Sequence, residues 1–147
     1  MNLAKRLEKV GQIFLDTAPV IYFVEKNPEF AQKVSEVFER LDNGNLIAVV
    51  SPITLAECLV LPYKQKNKEI AQVFNDLLVN SKSVLFYPID EVTADKAAEL
   101  RARYNLTLTD AFQLAIAIHS ECGAFLTNDA DLNRVKEIHI VVLSDVE

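Results

Sequence analysis

The chain has 147 residues, 50% of them hydrophobic and 24% charged. That composition excludes a disordered chain and suits one compact unit without disulfide or metal staples. With 21 acids against 15 bases the net charge is −6 and the isoelectric point near 5.0, which argues against a generic nucleic-acid coat or an anionic-membrane binder, both of which need basic surface.

No run of 18 uncharged apolar residues occurs, so no segment is expected to span a membrane. The start, MNLAKRLEKVGQIFLD, reaches Asp16 after a short apolar run and lacks a small-residue cleavage pattern. Cys58 and Cys122 both lie among helical apolar residues and read as reduced thiols of a soluble, cytoplasmic protein.

In chain order, a strand is expected over Gln12 to Leu15, then helices over Pro19 to Lys26 and Glu29 to Leu41, the latter closed by Asn43-Gly44. Phe30, Val34, Val37, Phe38 and Leu41 form an apolar stripe at helical spacing on the second of these. A strand over Leu46 to Val50 precedes a helix over Pro52 to Leu61, with Ser51 as its cap, and a further helix covers Lys68 to Asn80. Next come a strand over Val84 to Tyr87, helices over Val92 to Tyr104 and Thr109 to Glu121, and Gly123 as a helix stop. Strands over Ala124 to Thr127 and His139 to Leu143 complete the series. Each strand is continuously apolar, as expected where helices cover both faces of a parallel sheet. The fold class is therefore α/β, with no internal domain boundary.

Isolated acids inside apolar stretches carry the functional signal, because a carboxylate there is costly unless something compensates it. Asp16 stands where the first strand gives way to a helix, and a helix cap explains it equally well. Glu57 is the only charge in SPITLAECLVLPY, on what reads as a mostly buried element, and it lies too far past Pro52 to cap that helix. Asp110 opens TLTDAFQLAIAIHS, where Thr107 to Asp110 also fits a T-x-x-D capping box. Asp129 follows the fourth strand in AFLTNDADL, with Asp131 competing for any role there.

As a set these acids fall just past strand ends or on helices packed against the sheet, where ligands of open α/β sheets bind. Four carboxylates converging there call for a divalent cation, and oxygen-only donors favour Mg²⁺ or Mn²⁺ over zinc. That is the apparatus of metal-assisted phosphodiester hydrolysis.

Rival chemistries find less support. His119 and His139 read as structural rather than as an acid/base pair. P-loop, dinucleotide and nucleophile-elbow motifs are absent, and the last strand lacks the lysine that a phospho-accepting receiver would want.

The segments IFLDTAPVIYF, ITLAECL, LTLTDAFQLAIAI and AFLTNDADL, in this order and at whole-domain spacing, resemble the PIN-domain family, and within it the VapC-type toxins of toxin–antitoxin pairs. The resemblance covers the chain except Met1 to Lys9, which reads as an N-terminal extension of a single domain spanning 1–147. It implies a three-layer α/β/α sandwich around a parallel sheet of four to five strands, and a Mg²⁺- or Mn²⁺-dependent endoribonuclease, a homodimer inhibited by a cognate antitoxin.

Carried over by position, Asp16 and Asp110 become the principal metal ligands, with Glu57 and Asp129 completing the acidic pocket. Thr127 matches a family hydroxyl that orients water or phosphate, and Thr17 is a weaker candidate for the same work. Leu132 stands where an aromatic is common. Two further readings stay open: a non-catalytic binding module on the same fold, and a PIN nuclease for RNA processing or structured DNA. RNA approaching an acidic pocket needs flanking bases, for which Tyr63 with Lys64, Lys66 and Lys68, or Arg101 with Arg103, are candidates of no special standing over solvated helix ends.

Overall fold

The computed structural model describes residues 1–147. Its strands are β1 (Gln12–Leu15), β2 (Ile47–Val50), β3 (Val84–Phe86), β4 (Ala124–Thr127) and β5 (Ile140–Val142). The helices are α1 (Leu3–Arg6), α2 (Thr17–Val24), α3 (Ala31–Asp42), α4 (Pro52–Lys64), α5 (Lys68–Val79), α6 (Glu91–Tyr104) and α7 (Leu108–His119), with 3₁₀ turns at Ala130–Arg134 and Leu143–Asp145. All neighbouring strands pair in parallel, in the order β3-β2-β1-β4-β5. No helix is long and apolar enough to cross a membrane.

Strand alternation divides the interior into two cores. Ile13, Leu15, Ala48, Val50 and Leu126 face one layer with α1 to α5, while Phe14, Val49, Phe125 and Val142 face the other with α6 and α7. Phe14 and Phe125, on adjacent strands, stack with ring centroids 5.1 Å apart in the second core. The two-sided burial explains why the strands read as unbroken apolar runs.

Capping chemistry sets most helix starts. Ser51 and Thr54 make a reciprocal capping box at α4, with Pro52 in the first turn. Asp16, Asn67, Asp90 and Thr107 cap α2, α5, α6 and α7 through their side chains. The stripe expected on α3 is buried throughout, and Gly44 beyond it takes φ +76°.

Several expectations need correction. The helix after β1 begins at Thr17, because Asp16 supplies the cap two residues before Pro19. Helix α4 continues through Pro62 to Lys64, since a proline side chain turned into the core offsets the backbone bond it cannot donate. Glu121, with φ 59°, rather than Gly123, turns the chain out of α7. Gly123 instead donates its N–H to Gln12 O at 2.8 Å and so starts the β4 pairing. Cys122 lies in that turn, half-buried, rather than within the helix, and both cysteines are free thiols. In the first nine residues, Leu3 and Leu7 are buried in the larger core.

Candidate active site

The chain builds β1, β2 and β3 outward on one side and then crosses to β4 and β5 on the other. The carboxyl ends of β1 and β4 therefore mark the topological switch point, where open α/β sheets form a crevice. The β1–β4 register runs Leu15 opposite Leu126, and Asp16 N–H extends it by donating to Leu126 O at 3.0 Å. Asp16 and Thr127 are thus set side by side.

The Asp16 carboxylate accepts the Thr17 N–H on Oδ1 at 2.9 Å and the Thr127 hydroxyl on Oδ2 at 2.8 Å. The Thr127 hydroxyl, fully buried, in turn accepts the Asp129 N–H at 3.1 Å. Asp129 Oδ1 accepts the Asp131 N–H at 3.0 Å and caps the following 3₁₀ turn. Both strand-end aspartates therefore act as caps, as a purely structural reading requires. A cap uses one lone pair per bond, however, and leaves carboxylate oxygens able to bind something else.

The other two acids arrive on helices from different layers. Glu57 is exposed, which corrects the expectation of a buried carboxylate: α4 turns Thr54, Cys58 and Pro62 inward and leaves Ala56, Glu57, Val60 and Leu61 outside. Glu57 still belongs to the cluster, because Thr17 donates its hydroxyl to Glu57 Oε1 at 2.6 Å. Asp110 sits half-buried in the first turn of α7, its N–H donated to the Thr107 hydroxyl at 3.2 Å.

These groups feel one another electrostatically. Burial pushes the Asp16 carboxyl up from 3.8 to about 6, against the Thr127 and Thr17 hydrogen bonds, and the negative charges of Asp110 and Glu57 add to the rise. Asp110 is also raised, first by burial and further by the charges of Asp129, Glu57 and Asp131, against its hydrogen bond with Thr107. No ion pair involves Asp16, Glu57, Asp110 or Asp129.

Four acids share one edge of the sheet and none of them is ion-paired, although Arg134, paired with Asp131, is near enough to feel the charge of Asp129; the donor set of hard carboxylate and hydroxyl oxygens suits Mg²⁺ or Mn²⁺. No three acids stand close enough to form a ready-made cage. The donor chemistry fits such an ion.

Lys64, Lys66, Lys68 and Tyr63 are exposed at the end of α4 and beyond. Arg103 is paired with Glu99 and Glu137, and Arg101 donates to Leu106 O. His119 ends α7 at the opposite end from Asp110, and His139 lies at the amino edge of the sheet, far from any acid/base role here. Leu132 is buried in the second core and fills the place of an aromatic.

Sequence reasoning missed Gln113, buried beneath Asp110 on α7, and its contacts with Ser51 and Thr54. It also missed Asn128, which donates to the Tyr22 hydroxyl at 3.1 Å and accepts the Ser144 N–H at 3.0 Å, tying the end of β4 to its surroundings. The available signal was a lone amide on an otherwise apolar helix face.

The model of the PIN domain family matches residues 13–138, and no curated protein matches the sequence. Among solved structures, VapBC2 from Rickettsia felis bound to a DNA fragment from their promoter aligns at TM-score 0.70 and 19% identity, over 89% of this chain and 98% of that one. VapC20 of Mycobacterium tuberculosis, a toxin cleaving the sarcin-ricin loop, aligns at TM-score 0.69 and 15% identity, over 86% and 98% of the two chains. A toxin–antitoxin complex from Klebsiella pneumoniae aligns at TM-score 0.69 and 21% identity, over 88% and 96%. At these identities the likeness is one of fold. The family match takes in Asp16, Glu57, Asp110, Thr127 and Asp129 together with most of the chain, and on it the chain belongs to the PIN domain family, with the fold of its VapC-type members.

Proposed function

We propose that the protein is a Mg²⁺- or Mn²⁺-dependent endoribonuclease and the toxin of a toxin–antitoxin pair. One observation carries this reading: four acids, none of them ion-paired, surround the switch point of the sheet, and the most enclosed of them, Asp16, is pushed up to about 6. Such an arrangement is unfavourable until a cation joins it. When bound, the ion supplies a Lewis acid that acidifies water and neutralises charge on a phosphodiester.

Asp16 and Asp110 would hold the ion, with Glu57 and Asp129 completing the pocket. Thr127 fixes the orientation of the Asp16 carboxylate, and Thr17 holds Glu57 toward it. RNA as substrate and free thiols at Cys58 and Cys122 accord with a cytoplasmic site of action.

The partner reading rests on the relatives, of which VapBC2 from Rickettsia felis and the Klebsiella pneumoniae structure are toxin–antitoxin assemblies. An apolar groove of about 540 Å³ between α2, α3 and α5, lined by Phe23, Val24, Ala31, Val73 and Leu77, gives an antitoxin segment an apolar seat. Exposed Val60 and Leu61 on α4 offer a second apolar surface for self-association.

The test is cleavage of single-stranded RNA and DNA side by side, with Mg²⁺ or Mn²⁺ and with EDTA. RNA is expected to be cut only with the metal, and Asp16→Asn or Asp110→Asn to abolish cutting with the fold intact. Cleavage surviving in both variants overturns the site. Cleavage of DNA in place of RNA favours a structured-DNA nuclease, and RNA binding without cleavage favours a binding module. Growth arrest on expression, relieved by Asp16→Asn and by a co-expressed antitoxin, is expected of the toxin.

A further inference from the structure

We infer that Gln113 is a positioning residue, whose buried side chain joins the two helix layers and sets Asp110 against Glu57. This rests on the acidic site being the metal site. The two acids come from separate cores, since α4 packs with α2 and α5 in one layer and α7 with α6 in the other. Apolar packing within each core fixes each helix on its own layer and leaves their mutual register to whatever joins them.

The joint is polar. Gln113 Oε1 accepts the Ser51 hydroxyl, and Gln113 Nε2 donates to the Thr54 hydroxyl at 2.9 Å. Ser51 and Thr54 are locked to each other as the capping box of α4, with Ser51 N–H to Thr54 Oγ1 at 3.2 Å and Thr54 N–H to Ser51 Oγ at 3.3 Å. All three side chains are at most 1% exposed, and no buried side-chain polar atom in the protein lacks a partner.

The spacing ties this joint to the acids. Gln113 lies three residues after Asp110 on α7, and Thr54 three residues before Glu57 on α4, so each partner sits one turn from an acid on its own helix. Three apolar side chains would fill the same space without directional demands. Paired amide and hydroxyl groups accept only one relative placement of the helices, because any slip leaves buried polar atoms unsatisfied.

The experiment is Mn²⁺ binding measured by titration calorimetry on the whole protein, alongside the melting temperature of the metal-free form. The variants are Gln113→Met, Thr54→Val, the double variant, and Leu78→Ala as a control that loosens the α5 layer. Wild type is expected to bind Mn²⁺, and each single variant to bind it roughly tenfold more weakly, at the lower end of what groups outside the ligand shell contribute. The double variant is expected to bind no more weakly than either single one, and Leu78→Ala to melt lower yet bind as wild type does. Should Gln113→Met fail to fold, Thr54→Val probes the same joint from the α4 side. Unchanged affinity in the folded joint variants, or a Leu78→Ala affinity that falls with its melting temperature, overturns the positioning role. Failure of the wild type to bind Mn²⁺ overturns the metal-site reading beneath it.

Discussion

Asp16 and Asp129 owe their positions to the sheet, whereas Glu57 and Asp110 owe theirs to helices from opposite layers. The strand-end pair is fixed by short links: a β-ladder bond at Asp16 N, the Thr127 hydroxyl between the two, and caps on both carboxylates. On the helices, the acids are held through side chains alone, Thr17 to Glu57 directly and Gln113 through the α4 cap. The strand-end pair is held by backbone and cap bonds and the helix pair by side-chain bonds across the layers, at a site whose acids form no closed cage by themselves. The strand-end pair would define where an ion sits, and the joined helices would present Glu57 and Asp110 to it.

Breaking the strand-end half has the largest expected effect. Asp16→Asn is predicted to lower RNA cleavage by more than about 100-fold, beyond the 10–100-fold typical of groups outside the ligand shell. The same change is predicted to stabilise the metal-free protein at neutral pH. Folded Asp16 keeps its proton up to about pH 6, while an unfolded aspartate releases it near 3.8, so the folded state binds more protons between those values. Stability is then fullest below about pH 4 and is lost as pH rises through about 6, by on the order of 3 kcal/mol. Thermal melting of the metal-free wild type should therefore fall over that window. The Asp16→Asn curve should stay flatter there and cross above it at pH 7.

Thr127→Val keeps the shape of a fully buried side chain and removes its hydroxyl, so that Asp16 Oδ2 and the Asp129 N–H both lose a partner. About tenfold lower cleavage is expected, with stability down by about 1–3 kcal/mol for the unsatisfied amide. Serine at this position should restore most of both. A Thr127→Val enzyme as active as wild type, measured at saturating Mn²⁺ and at limiting Mn²⁺, would show that the strand-end pair does not need this link.

How much of this was legible in the sequence follows from the same division. The strands could be placed almost to the residue, because Ile13 to Leu15, Val49 to Val50 and Phe125 to Leu126 must satisfy a core on each face. Asp16 and Asp129 were legible for the same reason, since a charge at the end of such a run can only stand at the edge. Glu57 was legible as a candidate beside Asp16, whose neighbour Thr17 it meets, but not in its exposure. Leu55, Cys58, Leu59, Val60 and Leu61 read alike in sequence, and only packing tells Cys58 in the core from Val60 and Leu61 on the surface. Gln113 escaped because its meaning depends on Ser51 and Thr54, more than fifty residues away, meeting it where the two layers touch.

The smallest effect tests the helix-borne half. Thr17→Val removes the hydroxyl that Glu57 accepts at 2.6 Å, yet leaves the Thr17 N–H on Asp16 Oδ1. Glu57 is exposed, so its carboxylate returns to water without a buried penalty, and a stability change within about 0.5 kcal/mol is expected. What should change is the Mn²⁺ concentration giving half-maximal cleavage, up by about fivefold with the saturated rate nearly intact, because a swinging Glu57 must be ordered again on each binding event at a cost near 1 kcal/mol of side-chain entropy. A loss that persists at saturating Mn²⁺ would instead give Thr17 a direct part in the reaction and make the strand-end half of the site one hydroxyl larger than Thr127 alone.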